Sequence, residues 1–183
     1  MTLTYYVATS VDGYIADSEG GIDGFLTEGK HIQDFYAEIN HYDRVLMGRK
    51  TYEFGYRYGL QPGEVAYQGL KHLVFSSQLQ LSKTNPDLEI SAENPVEKVK
   101  ALKAQSDKTE SEEKLWLCGG GQLAGTLLTA GLIDEVVLKV NPFIQGQGIP
   151  LFANVDTVWS LKHVKTLNYN HGVHVMYYRV EAP

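Results

Sequence analysis

Cysteine is nearly absent from this sequence. Cys118 is the one such residue in 183, which excludes an intramolecular disulfide and any zinc site built on several thiolates. It predicts a reducing, cytoplasmic setting. Long apolar runs are missing as well. None approaches the ~20 residues needed to cross a bilayer, and Met1-Thr2-Leu3-Thr4-Tyr5-Tyr6-Val7 lacks the basic leader of a signal peptide. Positive charge is the third shortage: 16 Lys and Arg face 22 Asp and Glu, for a net charge of -6. No basic stripe is available to neutralise phosphates, so neither nucleic acid nor membrane is an expected partner. The six histidines are scattered, His171 and His174 sharing a hairpin rather than a helix face, and no metal site is expected. The G-x-S-x-G elbow, the Walker loop and the H-x-E with P-C-x-x-C pairing of zinc deaminases are missing too.

What is present is ordinary for a globular protein, with 43% hydrophobic and 21% charged residues. The length predicts one domain over residues 1–183, with chain enough to bury a core. Residues 3–9, 43–48, 71–76 and 115–118 read as short apolar strands, and 87–91 as a weaker one. A glycine-punctuated loop fills residues 12–29, long enough to suggest a function. Helices are expected over 30–41, 49–58, 95 onward and 122–130, the last ended by Gly131. The charged stretch 106–114 reads as a solvated loop. Residues 135–140, 158–166 and 173–180 complete a strand-rich final third, the last two runs forming an antiparallel hairpin. The pattern predicts an α/β fold with a mixed, mainly parallel sheet, helices on both faces and that C-terminal hairpin.

Three motifs follow predicted strands. Leu117-Cys118-Gly119-Gly120-Gly121-Gln122-Leu123 runs from a strand through three glycines into a helix, where free N–H groups attract phosphate. Alone it is equally a tight turn. Met47-Gly48-Arg49-Lys50-Thr51-Tyr52 offers two cations and a hydroxyl at a helix start, or merely two solvated basic residues. Ser76 and Ser77 close a third strand and are otherwise a turn. All three fall at carboxyl ends of strands, where open α/β sheets bind ligands.

These motifs, with Ser10-Val11-Asp12-Gly13-Tyr14-Ile15-Ala16 before them, occur in the order of the dihydrofolate reductase superfamily. The segments Ala130-Gly131-Leu132-Ile133-Asp134-Glu135 and Gly146-Gln147-Gly148-Ile149-Pro150-Leu151-Phe152 resemble its riboflavin-biosynthesis reductase branch, the RibD C-terminal domain. The resemblance implies an eight-stranded mixed sheet with NADPH across the strand ends. It implies Arg49 on the adenosine 2′-phosphate with Ser76 and Ser77 beside it. Gly48, Lys50 and Thr51 would meet the pyrophosphate from one side, and Gly119, Gly120, Gly121, Gln122 and Leu123 from the other. It also implies a cis bond at Gly119–Gly120 or Gly120–Gly121, and a mobile loop from Asp12 to Gly24 over the nicotinamide.

One departure bears on substrate. Dihydrofolate reductases carry an acid on the inner face of the helix after that loop. Here helical spacing puts Ile32, Phe35, Tyr36 and Ile39 on one arc and turns Asp34 away, with Glu38 well off it. On this reading neither carboxylate reaches an inner pocket, and folate reduction is disfavoured. Asp12 is then the acid nearest the site, as substrate contact or proton donor, or simply as a loop-bracing Asx residue. The expectation is an NADPH-dependent reductase resembling 5-amino-6-(5-phosphoribosylamino)uracil reductase. A nucleotide-binding protein without catalysis is the alternative, and a folate reductase a weaker one. The branch resemblance, with Trp159, Tyr177 and Tyr178, suggests a homodimer.

Overall fold

The computed structural model describes residues 1–109 and 112–182. Strand β1 (Thr2–Thr9) starts the chain, β2 (Tyr14–Ala16) follows, and α1 (Lys30–Ile39) leads to β3 (Arg44–Gly48). Next come α2 (Arg49–Phe54), β4 (Lys71–Phe75), β5 (Leu88–Ser91), α3 (Pro95–Thr109), β6 (Lys114–Gly119) and α4 (Gly121–Thr129). The chain finishes with β7 (Glu135–Val140), β8 (Ile149–Pro150), β9 (Ser160–Asn168) and β10 (His174–Glu181). Eight strands form one sheet in the order β5-β4-β3-β6-β1-β7-β10-β9. Pairing is parallel from β5 through β7 and antiparallel for β7–β10 and β10–β9.

Near-continuous apolar runs such as Val45-Leu46-Met47 and Leu115-Trp116-Leu117 are what a strand covered on both faces requires. One face packs Leu3, Tyr5, Leu46, Leu117 and Val136 under α3 and α4, which contribute Val99, Ala124 and Leu127. The other packs Tyr6, Val45, Met47, Trp116, Val137 and Val175 under α1 and α2, through Ile39 and Tyr52. Trp116 lies at the centre of that second layer. Its indole N–H donates to Tyr6 O at 3.0 Å, and Phe35, Tyr42 and Tyr67 ring it.

Three expectations change. The 12–29 segment is not all loop: Tyr14–Ala16 and Ile149–Pro150 pair as a separate two-stranded sheet, and buried Phe25 packs edge-on against Phe143. Such short strands leave no periodicity in a sequence. Helix α3 extends to Thr109, so the expected solvated loop begins as helix and Ser106 is buried; residues 110 and 111 lie outside the described part. The expected helix over 49–58 tightens into a 3₁₀ turn at Gly55–Tyr58 and ends at Gly59, whose φ of 91° is left-handed.

Candidate functional site

Strands β3 and β6 are parallel neighbours, and each runs straight into a helix. Gly48 and Gly120 are the N-caps of α2 and α4, both extended, and no side chain caps either helix. The first amides of both are therefore donors awaiting an acceptor. The two starts adjoin each other: a Cβ built on Gly120 would stand 3.6 Å from Thr51 Oγ1. The cis peptide is Gly119–Gly120, and the β3–β6 register shifts there, Met47 pairing with Gly119. A Cβ on Gly48 or Gly119 would meet nothing within 4 Å, so space opens in front of both turns. In β4, Phe75 pairs with Gly48, which puts Ser76 and Ser77 at the same edge. The topology thus gathers Gly48, Arg49, Lys50, Thr51, Ser76, Ser77, Gly119, Gly120, Gly121, Gln122 and Leu123 along the carboxyl ends of β4, β3 and β6.

The charges here are unequal. Lys50 is exposed. Arg49 is half-buried, and its Nη1 donates to both oxygens of Glu53, at 2.8 and 3.1 Å. An anion approaching Arg49 must share the guanidinium with that carboxylate. Ser76 Oγ accepts the amides of Gln78 and Leu79 at 3.0 and 2.8 Å, so it shapes the turn and keeps only its O–H to offer.

Asp12 lies beyond the end of β1, but its carboxylate turns toward the 143–148 segment. Oδ1 accepts from Ser10 Oγ at 2.6 Å and from the Gln145 amide at 2.9 Å; Oδ2 accepts from the Gly146 amide at 2.7 Å. Those donors, the Ser10 hydroxyl first, lower its pKa to about 2. A carboxylate held that low carries no proton at neutral pH. The geometry makes Asp12 a clamp between two loops.

Helix α1 corrects the expected arc. Tyr36 is 54% exposed, whereas His31 and Ile39 are buried and Phe35 packs on Tyr6 and Trp116. The inward stripe is rotated by about one residue, and it carries the two acids with it. Asp34 Oδ2 accepts from the Tyr169 hydroxyl at 3.0 Å and Glu38 Oε2 from that of Tyr177 at 2.6 Å. Counting Tyr36 as apolar displaced the arc; tyrosine tolerates solvent at its tip. Both carboxylates turn toward the β9–β10 hairpin, where tyrosine hydroxyls donate to them. Glu38 stands two turns from the site end of α1, roughly 12 Å along the axis. The expected interface aromatics are also engaged internally: Tyr177 on Glu38, and Trp159 against the α3–α4 core.

Two residues at the end of β7 are buried where the sequence gives no sign of it. Asn141 is fully buried; its Nδ2 donates to Lys139 O and its Oδ1 accepts the Leu26 amide, tying the early loop to the sheet. The Asn141-Pro142 pair is a turn signal, but nothing local announces the burial. Lys139 itself is 8% exposed, and burial alone lowers its pKa to about 8.

Among known proteins, the chain is 32% identical to the uncharacterized protein YwjB of Bacillus subtilis strain 168, over 95% of each chain. It is 30% identical to the uncharacterized protein YyaP of the same organism, over 91% of this chain and 88% of YyaP. Among solved structures, a Shewanella sp. PV-4 protein named for riboflavin biosynthesis superposes with a TM-score of 0.81 at 23% identity, covering all of both chains. The Thermotoga maritima diaminohydroxyphosphoribosylaminopyrimidine deaminase/5-amino-6-(5-phosphoribosylamino)uracil reductase gives 0.67 at 16% identity, over 98% of this chain and 56% of that one. Dihydrofolate reductase from Enterococcus faecalis, complexed with NADP(H), gives 0.61 at 18%, over 99% and 97%. At these identities the structures establish a dihydrofolate reductase-like fold. Residues 1–175 match the RibD C-terminal domain, and the chain belongs to that reductase family.

Proposed function

We propose that this protein is an NADPH-dependent reductase of the kind that acts on 5-amino-6-(5-phosphoribosylamino)uracil. The observation that carries the reading is the adjacency of two uncapped helix starts, Thr51 beside Gly120, with open space in front of Gly48 and Gly119. Amides at such starts suit a pyrophosphate. Gly48, Lys50 and Thr51 hold it from the β3 side; Gly119, Gly120, Gly121, Gln122 and Leu123 hold it from the β6 side. Arg49 takes the 2′-phosphate, with Ser76 and Ser77 beside it. When bound, the nicotinamide supplies the hydride. The chain's own part is to orient it, exclude water and place the substrate. Asp12, as an ionised clamp, keeps the 10–16 loop against the 143–148 segment. With Asp12 ionised, the proton that follows the hydride comes from water.

The test is a titration of wild type and Arg49→Ala with NADPH and NADH. A charge-assisted bond to phosphate, about 1.5–3 kcal/mol, predicts about a tenfold to hundredfold loss of NADPH affinity with NADH unmoved. Equal affinity for both cofactors, unchanged by the substitution, overturns the assignment. Oxidation of NADPH is then followed with the ribosylaminopyrimidine, dihydrofolate and simple carbonyl compounds. A nucleotide-binding protein without catalysis is the second reading, favoured by the acids: Asp12, Asp34 and Glu38 are all committed to internal donors. Binding without turnover on that panel selects it.

The exposed Leu161, Val164 and Leu167 of edge strand β9 support a homodimer, which sedimentation at micromolar concentration tests.

A further inference from the structure

Among the described residues, Lys139 is a mostly buried charge that the site as described does not use. It sits one residue from the end of β7, paired with Ala8 of β1 and Val175 of β10. Alternation puts its side chain on the face of Tyr6, Val137 and Val175, the face that α1 covers. Helix α1 runs antiparallel to β1, Glu38 reaching Tyr177 and His31 packing on Tyr169. Its first turns therefore lie at the carboxyl ends of the strands, level with Lys139. The lysine is 8% exposed, yet among the described residues no hydrogen bond, ion pair or ring contact reaches its ammonium.

The acids of α1, of β7 and of the loop after β1 all have other partners, and among the described residues no carboxylate offsets the burial of Lys139. Asp34 is held by Lys30 and Tyr169, Glu38 by Tyr177, Asp12 by Ser10 and two amides, and Glu135 by Thr4. A buried lysine that served only to fill the core would be expected to pair with one of them. Burial lowers its pKa to about 8, so it is still mostly cationic at pH 7. On the other side of the strand ends, Arg49 is already engaged with Glu53.

We infer that Lys139 is the substrate-facing cation of this cleft, and that the molecule reduced there places an oxyanion, phosphate or carboxylate, against its ammonium. The inference rests on the reductase reading and names the charge its substrate must carry. An ammonium whose stem is buried and whose tip alone stays open is worth most to a ligand that brings the opposite charge into the same low-dielectric space.

The experiment uses calorimetric titration of the full chain with uridine 5′-monophosphate, orotate and uracil, which present a phosphate, a carboxylate and neither. Wild type is expected to bind at least one anion more tightly than uracil, and the tighter anion identifies the group. Lys139→Met should weaken that anion about tenfold or more and leave uracil unchanged, while Lys139→Arg should retain most of the affinity. Lys139→Met should also melt higher than wild type, because it replaces an unpaired and largely desolvated charge by an apolar side chain of similar length. A purely structural lysine would move the melting temperature the other way. A readout that needs no stable Met variant is the ¹³C signal of reductively methylated Lys139, identified by its loss in Lys139→Arg, which should shift when the anion is added. Unchanged anion affinity in Lys139→Met, a preference for uracil, no anion bound at millimolar concentration, or a ¹³C signal indifferent to anion each overturns the inference. NADPH is titrated separately: its failure to bind would remove the reductase reading while the anion arms still decide the role of Lys139.

Discussion

The three donors on Asp12 tie Ser10 to Gln145 and Gly146, and they act through ionisation. Its folded pKa, about 2, lies below the value near 3.9 of an unfolded chain. The clamp's contribution is thus fully present above about pH 4 and is lost as pH falls through 2. Asp12→Asn removes the charge at every pH. Amide exchange at Gln145 and Gly146 should then quicken at neutral pH, where wild type is protected; equal protection in both proteins would remove the clamp. Cys118 illustrates the opposite shift. Burial pushes its thiol up to about 11, so the reactive thiolate is scarce. Native protein at pH 8 should resist iodoacetamide and label readily once unfolded; fast native labelling would contradict this placement. Of the candidate site residues, those in glycine-rich strand-to-helix turns were legible by position because backbone demands fix them. The burial of Lys139 and Asn141 was not, since a lysine near a strand end or an asparagine just past it ordinarily reads as solvent-facing.

At the level of elements, α4 is seated close against the end of β8 and the segment after it. A Cβ on Gly125 would fall 1.9 Å from Ala153 O, and one on Gly121 would fall 2.1 Å from Pro150 O. These are backbone atoms, which cannot swing aside. Gly125→Ala, which ordinary helix propensity would favour, should instead destabilise the protein by about 1–3 kcal/mol through overpacking; urea unfolding at unchanged m-value would measure it. A neutral or stabilising result would mean that the segment yields. The strands and helices themselves were readable because their apolar runs are long and consistent. The inward face of α1 was not, because its acids are satisfied by Tyr169 and Tyr177, residues more than a hundred positions away. The β2–β8 pair was hidden for a similar reason: its bonds join segments that share no local pattern.

For the whole molecule, the alternation of strands and helices conveyed the mixed sheet, and the closing hairpin was visible as two runs with no room for a helix between them. The insertion of β10 between β7 and β9 was not visible, and it is what buries Lys139 and completes the layer around Trp116. That layer has an optical consequence. The chain's two tryptophans, Trp116 and Trp159, lie on opposite faces of the sheet. Trp116 precedes Gly120 by four positions, roughly 13 Å of strand. It is 1% exposed, so its emission should be blue-shifted and little affected by solvent quenchers. Tryptophan emission overlaps the absorption of a reduced nicotinamide, which makes Trp116 a built-in energy-transfer donor for any such molecule at the strand ends. In Trp159→Phe, where Trp116 alone emits, NADPH should still quench tryptophan fluorescence and sensitise its own. Loss of that transfer while NADPH remains bound would put the nicotinamide far from β6.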